Sequence, residues 1–433
     1  MNSAKVAVIG FGTIGSGVAK ILLESGDRLC RHAGRPIELA RIVDTDLNRP
    51  RNVEVPGSLL STDLDSVLKD PEIVAAVELI GGLEPARTIV LKLLESGKNV
   101  VTANKALLAA HGQELFDRAR QLGRSIAFEA AVGGGIPIIA AVGQSLTANQ
   151  IQSIHAILNG TSNFILTQME ENDAEYAAAV KEAQKLGYAE ANPAMDVNGS
   201  DAAQKLAILA QLAFGASPDW KAIPRVGIDT LDVFDLRCAK ELGYTIKLLA
   251  VAELTPEGLE LHVSPTLVRH GTPLAEVRGA YNAIRVVGDA VGRVFFHGPG
   301  AGQMPTASAV VADLVDTVVG RAAITFNALE LWSNRKPPVP LRDPAKATGR
   351  YYLRFLVHDQ PGVLAQIAGI LGQHGISIAS VLQHEPNEER GEASVPLVIM
   401  THTAQAGAMS AALTQIDTLP VVRPTSVRMR VRE

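Results

Sequence analysis

A five-residue strand-like run at 5–9, apolar after Lys5, leads directly into Gly10-Phe11-Gly12-Thr13-Ile14-Gly15, and this junction constrains the chain more than any other feature. A strand, a glycine-rich turn and a helix start, in that order, give each glycine a physical task. Gly10 permits the tight turn, Gly12 lets backbone approach a pyrophosphate, and Gly15 allows helix and sheet to pack closely. The helix N-terminus adds N–H donors and a positive dipole for phosphate. The motif predicts a dinucleotide site with Gly10, Phe11, Gly12, Thr13, Ile14 and Gly15 as contacts; a glycine-rich turn without a ligand is the plainer alternative.

The rest of the first 145 residues repeats the rhythm. Strand-like runs at 38–43, 75–80, 99–102 and 125–128 alternate with helical patterns, which predicts a parallel, doubly wound α/β sheet. At 433 residues the chain has room for roughly three domains. From 148 onward the pattern turns mixed, with strands expected at 151–158, 245–253 and 259–264 and Ala-rich helices at 174–186 and 200–214. The stretch 332–349 carries four prolines among charged residues and reads as an extended linker. After it the order is βαββαβ: strand 351–357, helix 363–374, strand 376–383, an acidic loop, strand 393–401, helix 404–415 and a strand near 427–431. The expected division is therefore 1–147, completed by a returning helix at about 303–331, then 148–302, a linker at 332–349, and 350–433.

Composition narrows the function classes. Hydrophobic residues at 47% and charged residues at 20% describe an ordinary globular chain. A formal charge of −5 without long like-charge blocks argues against nucleic-acid or membrane partners. No export signal and no apolar run of about 20 residues is visible. Two cysteines, Cys30 and Cys238, are too few for a disulfide framework or a cysteine-based metal site and suit a reducing cytoplasm.

At the end of the second strand, Asp44 is placed to accept hydrogen bonds from the adenosine ribose hydroxyls, which argues for NAD. Arg49 and Arg51 lie a few residues on as possible partners of a 2′-phosphate, so the choice between NAD and NADP stays open. Asp44 also fits a simple strand-end turn.

Two lysines draw attention. Lys105 follows a strand and opens a helix, at the sheet edge where ligands collect, although a solvated lysine there is an equally good account. Lys205 is the single charged residue between 202 and 214, in a helix otherwise almost wholly apolar or small. Such an ammonium needs a partner, and Asp201 sits four residues earlier on the same face. Glu190 and Asp196 stand just upstream, in a segment that Asn192-Pro193 breaks into a loop. A structural Lys205–Asp201 pair bordered by solvated acids competes with a site in which one lysine and three carboxylates converge. Reduction of an aldehyde with a nicotinamide needs a proton for the developing alkoxide, which a lysine supplies, and carboxylates hold a substrate ammonium. The histidines show no H-E-x-x-H spacing, and neither cysteine stands where a nucleophile would.

On these residues the chain resembles the homoserine dehydrogenase family, in the form with a C-terminal ACT domain and no fused aspartate kinase. The motifs are GFGTIGSGV at 10–18, TANKALLA at 102–109, EAAVGGGIPII at 129–139, LNGTSNFIL at 158–166 and LGYAEANPAMDVNGSDAAQKLAIL at 186–209. The resemblance implies a Rossmann domain, an α+β catalytic and dimerisation domain and a regulatory ACT domain. It implies NAD(P)-dependent interconversion of L-aspartate 4-semialdehyde and L-homoserine, toward threonine, methionine and isoleucine. Carried over, Lys205 is the proton donor, with Lys105 beside it; Glu190, Asp196 and Asp201, with Gly160 and Thr161, serve the substrate, and Thr102, Lys105 and Gly302 line the nicotinamide end. A monovalent cation, usually sodium, is implied at Glu129 and the carbonyls of Val132, Gly134 and Ile136. Asp359, Gln360, Pro361, Gly362, Val363 and Leu364 match the ACT effector loop, for which L-threonine is expected. A homodimer or homotetramer follows from the same likeness. NADP-preferring members often carry an arginine after the second strand, where this chain has Thr45.

Two other readings compete with this one. A non-catalytic amino-acid and dinucleotide sensor would not need Lys105, Glu190, Asp201 and Lys205 intact. A phosphorylating aspartate-semialdehyde dehydrogenase would need a positioned cysteine.

Overall fold

A computed structural model describes residues 3–333, 337–383 and 394–432. The chain forms two compact units: Met1–Ile154 with Asp201–Ile223 and Tyr281–Val339, and His155–Ser200 with Pro224–Ala280 and Pro340–Glu433.

In the first unit, β1 (Ala4–Ile9), β2 (Ile37–Val43), β3 (Leu60–Ser61), β4 (Ile73–Glu78), β5 (Asn99–Thr102) and β6 (Ile126–Ala127) make a parallel sheet in the order β3-β2-β1-β4-β5-β6. The first strand is almost uniformly apolar because a parallel sheet is covered on both faces. Strand order reverses at β1, so a crevice opens beyond the carboxyl ends of β1 and β4. Helix Gln303–Val318 joins this core late in the chain, packing Ala307, Val310 and Leu314 with Val6, Val8 and Val18. Gly17 makes that contact possible, since a Cβ there would lie 2.9 Å from the Gln303 side chain and 3.0 Å from Ala307.

The strand expected at 75–80 ends at Glu78 instead. Its carboxylate takes the N–H groups of Ile80 and Gly81, at 2.8 and 3.1 Å, and turns the chain away from the ladder. The strand expected at 125–128 is reduced to two residues.

Strand β7 (Ile151–Ile157) runs from the first unit into the second. There β8 (Tyr244–Thr255) and β9 (Gly258–Arg269) form a long antiparallel pair, longer than the sequence pattern suggested. The antiparallel hairpin of β10 (Tyr281–Gly288) and β11 (Gly292–Pro299) belongs to the first unit. Sequence periodicity did not single out β10 or β11, whose apolar residues lack a clean two-residue alternation.

The C-terminal segment has β12 (Thr348–Val357), β13 (Ile378–Gln383), β14 (Val395–Thr401), the two-residue β15 (Ala404–Gln405) and β16 (Val422–Arg432). Helices Val363–Gln373 and Ala406–Ile416 complete the βαββαβ order, and Leu353, Phe355, Ile367, Leu371, Ile399 and Met409 lie in its core. The expected acidic loop falls mainly outside the described residues. Within the second unit β16 lies parallel to β9, so the strands run β8-β9-β16-β12-β14-β13. Tyr352 and Arg354 of β12 reach the fully buried Asp235 of helix Val233–Glu241, at 2.9 and 2.7 Å. No helix among the described residues is long and apolar enough to cross a membrane.

Candidate active site

The glycine loop sits at the mouth of the crevice in the first unit. Gly10 has a φ of +99°, and a Cβ there would stand 2.7 Å from the Leu79 backbone. At Gly15 a Cβ would come within 2.0 Å of the Gly10 carbonyl oxygen. Gly12 is different: its φ is −77°, and a Cβ would meet nothing within 4 Å. Neither strain nor packing asks for glycine at Gly12, whereas a phosphate cradled on the helix start does. The adjoining cavity, of about 380 Å³, is lined by Gly10, Gly12, Asp44, Thr45, Thr62 and Ile80, among others. Asp44 faces it with one carboxylate oxygen accepting from the Phe11 N–H at 2.5 Å and the other from Asp46 N–H at 2.8 Å. Thr13 lies in the same arrangement, since Gln303, next to Gly302, donates to its carbonyl at 3.0 Å and to Ser16 Oγ at 2.9 Å. Ile14 packs against the hydrophobic core of this unit.

At the edge of β4 and β5 a buried relay fixes Lys105. Thr102 donates to Glu78 at 2.7 Å and accepts from the Asn104 N–H at 3.0 Å. Asn104 caps helix Lys105–Gln121 through the Leu107 N–H and donates to the Gly82 carbonyl. Glu78 escaped the sequence reading; a lone acid closing an otherwise apolar strand was its signal.

Helix Ser200–Phe214 carries the other lysine. Its face is buried through Leu206, Ile208 and Leu209, and the i, i+4 spacing brings Asp201 Oδ2 within 2.8 Å of Lys205 Nζ. The second oxygen, Oδ1, stands 3.1 Å from Lys105 Nζ. One buried carboxylate thus bridges two ammonium groups, all within the first unit. Two lysine ammonium groups held on one carboxylate are an arrangement suited to an oxyanion.

The remaining substrate candidates lie in the second unit. Asn159 caps helix Gly160–Asn172 through the Ser162 N–H and donates to Asp196 at 2.7 Å. Ser162 donates to the Asp196 carbonyl, and Thr161 to that of Tyr188. Gly160 admits the Ala280 carbonyl, which a Cβ would approach to 2.5 Å. The expected loop around Asp196 contains one helical turn, Ala194–Val197, started after Pro193. Glu190 is exposed. Asn159 was missed from sequence, although Asn before Gly-Thr-Ser is an N-cap signal.

Glu129 is buried, its two oxygens accepting from Ile139 and Ala140 N–H at 2.9 and 2.8 Å, while its own N–H donates to Asp313 at 2.8 Å. Burial pushes the Glu129 carboxyl up, and burial with the Glu129 charge pushes Asp313 well up. Between Val132 and Ile136 the loop is held close to its neighbours, since a Cβ on Gly134 would lie 2.4 Å from the Gly300 carbonyl. Cys238 is buried, and its thiol is pushed up to about 12 by burial and the charges of Asp235 and Glu241, so it is no nucleophile.

Comparison with known proteins matches these features. Residues 10–129 match the NAD-binding domain of homoserine dehydrogenase, 137–315 homoserine dehydrogenase itself, and 351–420 the ACT domain. A homoserine dehydrogenase of Pseudomonas aeruginosa is 43% identical over 437 residues, with 100% of both chains covered. The chain belongs to the homoserine dehydrogenase family. A Bacillus subtilis member is 37% identical over 432 residues, covering 100% of this chain and 99% of its own. The crystal structure of a homoserine dehydrogenase from Thiobacillus denitrificans superposes with a TM-score of 0.89 at 40% identity, covering 100% and 99% of the two chains. In the ACT part, Asp359, Gln360, Pro361, Gly362, Val363 and Leu364 line a cavity of about 420 Å³. Gly362 there has a φ of +92°, which explains the glycine at the start of helix Val363–Gln373.

Proposed function

We propose that this chain interconverts L-aspartate 4-semialdehyde and L-homoserine with NAD(P), and that Lys205 delivers the proton to the carbonyl oxygen in the reducing direction. The observation that carries the roles is the Lys105–Asp201–Lys205 bridge. The bound dinucleotide supplies hydride chemistry; the protein supplies position and charge. Asp201 fixes the Lys205 ammonium at the Oδ2 atom, and Lys105 adds a second cation that favours negative charge on the substrate oxygen. Glu190 and Asp196, with Gly160 and Thr161, hold the substrate ammonium, and Asn159 keeps the Asp196 carboxylate in place. Thr102 and Gly302 border the nicotinamide end.

A sodium ion at Glu129 and the carbonyls of Val132, Gly134 and Ile136 belongs to the same reading. Burial, and for Asp313 also the neighbouring Glu129, disfavours the charged forms of these two carboxyls, a cost that a bound cation would offset. L-Threonine as effector at residues 359–364, assembly as a homodimer or homotetramer, and work in the cytoplasm complete the proposal. The test is absorbance of reduced nicotinamide on mixing the protein with L-homoserine and NAD or NADP, with and without L-threonine. Homoserine-dependent reduction is expected, lowered by threonine. Dinucleotide binding without turnover would favour the sensor.

A further inference from the structure

The segment after β2 folds back so that Arg51 lies on Phe11, the second residue of the glycine loop. Its guanidinium carbon is 4.3 Å from the Phe11 ring centroid. Arg51 Nε donates to the Phe11 carbonyl at 2.6 Å, Nη1 to the carbonyls of Leu47 and Arg49 at 3.2 and 2.7 Å, and Nη2 to that of Asp46. Of the five N–H donors an arginine has, four are spent on backbone carbonyls, and one face is covered by an aromatic ring. Phe11 is consequently held at both ends of its peptide, its N–H by Asp44 and its C=O by Arg51.

Two consequences follow for the dinucleotide. The cavity beside the glycine loop has Asp44 in its lining and, among the described residues, no lysine or arginine. A ribose with free hydroxyls donates to that carboxylate, whereas a 2′-phosphate meets a like charge without a compensating cation. For Arg51 to serve as that cation, it would have to give up bonds that shape the loop.

We propose that Arg51 is a positioning residue rather than a phosphate reader. It latches the 44–51 turn onto Phe11, sets the Asp44 carboxylate toward the ribose, and so makes the site selective for NAD over NADP. This rests on the family reading above for the existence of a nicotinamide site, but its test does not depend on turnover.

The test is equilibrium titration of the full-length protein with NAD and with NADP, followed by fluorescence, alongside homoserine-dependent turnover and a thermal melt. NAD is expected to bind about tenfold or more tightly than NADP, the scale of one charge-assisted hydrogen bond. Arg51→Lys keeps the charge but not the forked donors. It and Arg51→Leu should each weaken NAD about tenfold, raise the KM for NAD, and leave kcat at saturation within about twofold. Asp44→Asn should narrow the NAD-to-NADP ratio by removing the repulsion. Tighter NADP than NAD binding in the parent protein overturns the proposal, as does a selective loss of NADP binding in Arg51→Leu or unchanged NAD binding in Arg51→Lys. If Arg51→Leu does not fold, the Lys variant and the parent ratio still decide. Selective NAD binding without homoserine oxidation would refute the enzymatic reading and leave the Arg51 assignment standing.

Discussion

The carboxylate of Asp201 lies 2.8 Å from the Lys205 ammonium, one helical turn along helix Ser200–Phe214, and shares its other oxygen with Lys105. Asp201→Asn keeps the shape and removes the charge, leaving two ammonium groups without their common anion. Turnover is expected to fall by about 10-fold or more with dinucleotide affinity nearly unchanged, as steady-state rates and titration would show. Equal rates in the two proteins would make the bridge merely structural.

Gly12→Ala separates cofactor binding from folding. The added methyl group meets no protein atom within 4 Å and the backbone is not in the left-handed region. The melting temperature should stay within a few degrees while NAD affinity drops by about tenfold, because the methyl occupies phosphate space. An unchanged affinity would return Gly12 to an ordinary turn.

Asp235→Ala tests the tie between β12 and helix Val233–Glu241. The variant takes away the acceptor that the mostly buried Arg354 and the Tyr352 hydroxyl share, and leaves Arg354 only the half-exposed Asp232 carboxylate at 3.2 Å. A loss of about 3 kcal/mol is expected in denaturant unfolding, the low end of the cost of breaking one side of a buried pair, since Asp232 still faces Arg354. Asp235→Asn should recover part of it by keeping an acceptor for Tyr352.

Lys247 gives a pH signature. It is fully buried on β8 and donates to the Val277 carbonyl at 2.5 Å. Burial, followed by the Arg278 charge, lowers its pKa to about 8. A folded value below the unfolded one means that the unfolded chain binds more protons above that pH, so stability gains from this group as pH rises. Relative to Lys247→Met, the parent protein should gain about 1 kcal/mol per pH unit between about pH 8 and 10. A flat difference across that window would contradict the assignment.

The parts legible in sequence were those with local rules. The glycine loop, its sheet and the i, i+4 placement of Asp201 against Lys205 follow from spacing alone, as does the βαββαβ order of the C-terminal segment. What escaped depended on distant partners. Nothing near Glu78 announces that it receives Thr102 from the next strand, and nothing near Arg51 announces Phe11, forty residues away. Backbone carbonyls, the partners of Arg51, leave no composition signal. The same limit applies to the β10–β11 hairpin, whose burial is set by neighbours rather than by its own periodicity.

The most direct measurement is the homoserine-dependent turnover of Lys205→Ala beside the parent protein, with NAD affinity titrated on both. Turnover lower by about 10²-fold or more, with NAD affinity within about twofold, is the expected result for loss of a general acid. A variant as fast as the parent would contradict the role of Lys205 and the mechanism built on it.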